Sequence, residues 1–460
     1  MMRLVGDIRS IASSRGPTGG AARGTLWTAG GLVVSTLATL GANLFAVAKT
    51  LPTTFADLVI LTAIVLMVGM VARLGANQII IGEVHAVEAR LGPSNARLAG
   101  ADILAFVIAS AILCALVLTA TPAVRLVDLP LSTELRPGER VLVALWFAGE
   151  VVRIVVGEAY RSRYQFMWAS IAGYGLRAPL FLAMMAIVSL KKPPPIPRAD
   201  ILMAASVSSL VVCVSTLVSI SSAFPWWRGN PLRSARQLWR GHVWMLTATF
   251  AASLIGSADI WVMGATAPPN VRASYGLSVT LVAGIPMVAT AITGGILPYV
   301  AAAVATGNVA AIQQRIVGFV RAALALALVA FVGLLIFSAP LATALGGPSY
   351  ADITLFIAVL GGGQVINVLM GVGGAVLIVS RQYRAVTLIT VGVSIAAVMG
   401  EAAFGFLVGA PVGIAITSGA ATAILPILGA VALHRSLRMR TDALAPPVRA
   451  AEHTQRWRRR

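Results

Sequence analysis

Apolar runs long enough to cross a bilayer recur through nearly the whole chain, and this feature decides most of what the sequence can fold into. A hydrocarbon core near 30 Å needs about 20 helical residues. Predominantly apolar stretches of that order lie at 25–48, 55–81, 99–121, 140–160, 167–190 and 200–223, then at 242–264, 274–303, 317–343, 351–379, 385–408 and 412–433. They are continuous, whereas barrel strands would alternate every second residue over about 10 residues, so helices are the spanning elements. The expected fold class is an all-α polytopic membrane protein with about twelve transmembrane helices in two six-helix lobes. With 58% hydrophobic and 11% charged residues, the chain has too little polar surface to cover itself in water.

The net charge of +19 raises nucleic acid as a partner, but the placement of the Arg and Lys residues points elsewhere. They gather at Arg3, Arg9, Arg15 and Arg23, in the Arg228–Arg240 segment and from Arg435 onward, on one side of an even-span topology. By the positive-inside rule this is a multi-pass membrane protein with both termini cytoplasmic. The divisions are a basic tail (1–24), a first lobe (25–223), a linker (224–241), a second lobe (242–435) and a second basic tail (436–460). The closing run RWRRR reads as a solvated tail near anionic membrane lipids, with no nucleic acid implied. The polar tail before the first span and the lack of a small-residue cleavage pattern argue against a removable signal peptide. Cys114 and Cys213 fall inside apolar runs, where a thiol is a small hydrophobe.

In the linker, Leu232, Ala235, Leu238 and Trp239 share a helical face that Arg233, Arg236 and Arg240 avoid, which predicts an interfacial amphipathic helix. The two halves echo each other. Leu26-Trp27 parallels Val243-Trp244, and TFADLVILTAIV (54–65) parallels VRASYGLSVTLV (271–282). Six spans a side implies a parallel repeat, a plan that places substrate sites between the halves.

These patterns resemble the Wzx-type polysaccharide flippases of the multidrug/oligosaccharidyl-lipid/polysaccharide exporter superfamily. The carriers are the Thr54-Phe55-Ala56-Asp57 turn, and residues 257–308 with an acid in the seventh span, Tyr275 opening the eighth and Pro298 before a small-residue run. Residues 346–386 and the late helix with Pro411 and Gly413 continue it. The resemblance implies two lobes around a central cavity, alternating access, and a lipid-linked glycan on a polyprenyl diphosphate as cargo. It also implies a polysaccharide polymerase and glycosyltransferases as possible partners. It implies transport without covalent chemistry, and no cofactor.

A polar head crossing hydrocarbon needs cations for phosphate and hydrogen-bonding groups for hydroxyls, so intramembrane charges are the candidates. Arg177, mid-span before Pro179, is the leading phosphate contact, and a structural ion pair with Glu150 or Glu158 is the alternative reading. Glu150 and Arg153 are three apart and can neutralise one another on one helix face. Arg73 either lines the cavity or snorkels to headgroups. Asn43, Asn77 and Gln78 are candidate sugar contacts or interhelical hydrogen-bonders. Asp259 and Glu401 are coupling candidates, but their positions toward the outer ends of their spans favour simple interfacial solvation. Gly405, Gly409 and Gly413, spaced by four, read as close helix packing.

No GxxxxGK[ST] loop is present, so ATP hydrolysis is not expected of this chain. Glu83, His85 and Glu88 lack HExxH spacing, and no metal is expected. Three competing readings stand. A drug or cation exporter would carry an acid in the first span, where this chain has Asn43. A glycan polymerase or glycosyltransferase would need loop carboxylates, of which Asp128, Glu134 and Glu139 are the nearest equivalent. A non-transporting scaffold would retain the spans and lose the cavity charges.

Overall fold

Prolines set the start of many helices, as expected for a residue that lacks the N–H the first turn cannot use. The helices are α1 (Pro17–Lys49), α2 (Pro52–Arg73), α3 (Ala76–Leu91), α4 (Pro93–Ala120), α5 (Pro137–Ser162), α6 (Phe166–Ser170), α7 (Arg177–Lys191) and α8 (Arg198–Ile220). The second half follows with α9 (Pro231–Ile255), α10 (Ala258–Thr266), α11 (Pro269–Val282), α12 (Val309–Leu345), α13 (Ile353–Met370), α14 (Gly373–Val379), α15 (Tyr383–Ala402) and α16 (Pro411–Leu437). This computed structural model describes residues 17–120, 134–191, 193–287, 289–290, 293, 300, 309–345, 352–380 and 382–445.

Helix occupies each of the twelve apolar runs. Among the described residues, nine helices are long and apolar enough to span a membrane by themselves, and the bent pair 166–173 and 177–191 makes a tenth. The remaining two runs have identifiable reasons for falling short. α5 carries Glu150, Arg153 and Glu158 within its central turns, and α11 ends at Val282 in a turn, beyond which most of the run to 303 lies outside the described set.

In lipid, helices associate through packing and hydrogen bonds without a water-driven hydrophobic term. Small residues accordingly sit at the tightest crossings. Gly149 lies against the Ser209 backbone, Gly157 against Gly173, and Gly363 against Gly419, where an added Cβ would fall 2.4 Å from the Gly419 carbonyl oxygen.

The repeat is visible in three dimensions. In the first half α5 packs on α8 and α1 on α7; in the second α13 packs on α16 and α9 on α15. Ser170 Oγ donates to the Trp27 carbonyl at 2.8 Å and Thr387 Oγ1 donates to the Trp244 carbonyl at 2.5 Å, each bond closing 143 residues. Across the halves, α2 packs on α9, α10 and α11, and α4 packs on α9. Val59 of α2 meets Gly276 of α11, and these two residues hold the same place in their repeats.

Two expectations need correction. The linker is not a separate interfacial helix. Helix α9 begins at Pro231, capped by the Asn230 side chain, and runs unbroken to Ile255. The linker's start is fastened to α4: Phe224 is fully buried, and Asp102 accepts from the Asn230 N–H at 2.6 Å and faces Arg233 at 3.7 Å. The Leu238, Trp239, Arg236 and Arg240 side chains lie outside the described residues.

The second run does not continue to 81 as one helix. Leu74 (φ 47°) and Gly75 (φ 74°) break it and α3 restarts. The first apolar span is Leu26–Lys49, and α1 extends N-terminal to it as far as Pro17; residues 1–16 lie outside the described set. The second tail begins with an ordered segment, and its closing run RWRRR lies outside the described residues. Residues 438–445 fold back as a strap, with Ala443 N–H donating to the Leu369 carbonyl at 2.9 Å and Arg321 holding the carbonyls of Ala443 (2.9 Å) and Ala445 (2.7 Å). Residues 446–460 lie outside the described set.

Candidate functional site

Two charged constellations sit inside the helix bundle, one per half. The first is built on α5, whose mid-helix Glu150 is buried. Arg153, one turn on, donates to Glu150 and to the Gly173 and Ala172 carbonyls. Those carbonyls belong to the π-helical turn Ile171–Gly175, whose looser hydrogen bonding leaves acceptors for a side chain. Arg177, the first residue of α7, reaches Glu150 Oε1 at 3.0 Å. Its guanidinium also lies over the rings of Trp146 (5.6 Å) and Phe181 (5.2 Å). Ser209 of α8 donates to the same carboxylate oxygen at 2.9 Å.

Arg73, at the end of α2, is 4% exposed and lies within electrostatic reach of Glu150 and Arg153. It does not snorkel to headgroups, because α5 and the break at Leu74 hold it inside the lobe. Three guanidiniums therefore surround one carboxylate. The buried Nε atoms of Arg73 and Arg153 have no hydrogen-bond acceptor among the described residues. Glu158 is not part of this group; it pairs with Arg161 at 2.5 Å.

The second constellation corrects the expectation of interfacial solvation. Asp259 and Glu401 are 4% and 0% exposed. Asp259 accepts from the Tyr275 hydroxyl, from Ser418 Oγ at 2.8 Å and from its neighbour's N–H. Glu401 lies in electrostatic reach of Asp259, and both of its carboxylate oxygens lack a hydrogen-bond partner among the described residues. Burial is lateral: Tyr275 of α11 and Ser418 of α16 close over Asp259. Tyr275 and Ser418 were not singled out as its ligands, although Tyr275 was part of the pattern behind the resemblance.

The other candidates scatter. Asn43 Nδ2 donates to Thr280 Oγ1 at 3.3 Å, a hydrogen bond between the halves. Asn77 Oδ1 is buried without a partner among the described residues, and the Gln78 side chain lies outside them. Of the loop acids, Asp128 lies outside the described set. Glu139 is held by Arg198 at 2.9 Å, which also bonds Asp57 at 2.7 Å, tying α2, α5 and α8 together at one end. The described residues contain no cluster of His, Cys, Asp and Glu suited to a metal ion.

Neither a family model nor a curated relative matches the chain. Solved structures do. An inward-facing multidrug resistance MATE family transporter of the MOP superfamily aligns over 88% of this chain and 96% of its own, at 13% identity and a TM-score of 0.64. The outward-facing form of such a transporter aligns over 91% and 96%, at 14% identity and the same TM-score. The chain has the MATE transporter fold. A MOP superfamily transporter from Pyrococcus furiosus, described as having a binding pocket of reversed polarity that suggests a different function, aligns over 90% and 95% at 13% identity and a TM-score of 0.64. Within this MATE-type fold the two lobes are the two halves of the chain; the buried group of the first has an excess of guanidiniums, and that of the second is a pair of carboxylates.

Proposed function

We propose that the chain is a flippase of a bacterial inner membrane, carrying a polyprenyl-diphosphate-linked oligosaccharide from the inner to the outer leaflet by alternating access between its lobes. Both termini and the basic face are then cytoplasmic. The observation that carries this reading is the positive excess of the first lobe. Arg73, Arg153 and Arg177 outnumber Glu150, and two buried guanidinium Nε atoms lack acceptors among the described residues. An uncompensated charge inside a membrane is costly. A diphosphate supplies both the missing charge and oxygen acceptors suited to guanidinium geometry. Arg177 keeps 17% side-chain exposure and is the member of the group best placed to reach cargo.

The acid pair in the second lobe suits coupling. Two buried carboxylates in mutual reach, with no cation paired to either among the described residues, take up a proton or a small cation such as Na+ to offset their charge. Membrane lipids surround the chain, and the enzymes that build and polymerise the glycan are the natural partners of such a cycle.

The buried Asp259 and Glu401 also favour a second reading, a cation exporter, in which the arginine group is architectural. Reconstitution separates the two. Liposomes carrying the protein and a fluorescent polyprenyl-diphosphate oligosaccharide report leaflet exchange as loss of protection from a membrane-impermeant reagent. Exchange that collapses in Arg177→Ala supports the flippase. Folded protein that gives no exchange across glycan cargoes and ion gradients, yet extrudes organic cations, removes it.

A further inference from the structure

The second lobe contains a cavity of about 380 Å³ between α9, α13, α14, α15 and α16. Its wall is largely apolar and carries the hydroxyls of Thr249, Thr293, Thr390 and Thr422 and the amide of Asn367. Asn367 holds the place in its repeat that Glu150 holds in the first lobe. An uncharged amide thus stands at the cavity wall where the first lobe has the carboxylate of its ion-pair group.

The cavity has a direction. Thr249 lies on α9 and Thr390 on the opening turns of α15, both toward the basic face, and Ile255 marks its inner limit. Beyond that limit is a separate small cluster of Ile255, Val393, Ala397 and Ala421, with Leu425 against it. The acid pair follows immediately. Glu401 is four residues past Ala397, one turn of α15 or about 6 Å at 1.5 Å per residue, and Asp259 is four residues past Ile255, across the short turn that joins α9 to α10. Ser418, the ligand of Asp259, precedes Ala421 by three residues on α16, which runs the opposite way. Three helices thus place the same order of features along one line: cavity, one apolar turn, carboxylates.

We infer that this cavity is a dedicated access path by which the small cation held by Asp259 and Glu401 exchanges with the basic face, separate from the cargo route between the lobes. The one-turn cluster of Ile255, Val393, Ala397 and Ala421 is its gate. An opening of this size and lining admits water and a small cation and excludes a diphospho-glycan. The inference rests on the coupling role proposed for the acid pair.

Cysteine accessibility tests it. In a chain carrying Cys114→Ser and Cys213→Ser, single replacements Thr390→Cys and Thr249→Cys are exposed to a membrane-impermeant cationic thiosulfonate in vesicles of either orientation. Leu388→Cys, on an outward-facing surface of α15 that is 59% exposed, is the comparison. The two cavity thiols should react from the basic face alone and roughly tenfold faster than Leu388→Cys, because reaction follows access and thiolate formation in water. Modification should remove most of the transport driven by an H+ or an Na+ gradient, whichever drives it, and leave cargo binding intact. If Asp259→Asn retains gradient-driven transport, the coupling role of the acid pair falls. If Asp259→Asn abolishes that transport while the cavity thiols stay unreactive from the basic face, or react without slowing it, the access path alone is overturned.

Discussion

Glu150 carries more of the first lobe than any other single side chain in its charged group. It compensates Arg153 and Arg177 together and accepts from Ser209. Glu150→Gln strands two buried guanidiniums, and removing one partner of a buried pair costs roughly 3–5 kcal/mol. Arg177→Leu leaves Glu150 paired with Arg153 and lowers the positive excess, so its loss of stability should be clearly smaller. Denaturant unfolding of the purified variants measures both; equal losses would remove Glu150 as the shared hub. Outside the membrane, burial pushes the Asp442 carboxyl up, but the hydrogen bonds and charge of Arg440 together with backbone N–H donors, Leu444 among them, outweigh this and hold it below the usual range. A depressed value means the contribution is present above the ordinary carboxylate range and lost as pH falls through the lowered one. Amide exchange at Ala443 and Leu444 should accelerate below about pH 4, and Asp442→Asn should exchange quickly already at neutral pH. These charges were visible in the sequence as charges. The partners were not, since Ser209, Tyr275 and Ser418 come from other helices and a lone hydroxyl in an apolar run carries no signal of what it faces.

The break between α13 and α14 shows how an element can depend on a distant segment. Gly371 has φ 74°, and a Cβ there would lie 2.2 Å from the Thr441 carbonyl oxygen of the strap. Gly371→Ala adds backbone strain of about 1–3 kcal/mol and pushes the strap from its seat. Limited proteolysis should then cut between 438 and 445 much faster than in the parent, with the helical content unchanged; unchanged cleavage would show that the strap is not anchored at Gly371. Elements of this kind were the least legible. Apolar length located helix in all twelve runs because bilayer thickness imposes it. That length does not report the break at Leu74–Gly75, the π-helical turn that feeds Arg153, or the continuity of α9 through the linker, which depend on local backbone geometry and on contacts between helices.

At the scale of the whole molecule, alternating access requires that contacts between the lobes open and close. The most symmetric of these is Val59 on α2 against Gly276 on α11, flanked by the Asn43–Thr280 hydrogen bond. A Cβ at Gly276 would fall 3.2 Å from the Val59 Cβ, within a few tenths of an ångström of the separation a disulfide adopts. Val59→Cys with Gly276→Cys, in a chain lacking Cys114 and Cys213, should therefore oxidise to a bond that ties the lobes in the conformation described. Such a tether leaves each lobe and its charged group intact, so folding and cargo binding on the open side should persist while turnover falls to background and recovers on reduction. Each single replacement controls for the loss of Val59 packing or the crowding of Gly276. A fully oxidised pair that transports at the reduced rate would mean that these two helices do not separate during the cycle, and the moving interface would have to be sought between α4 and α9.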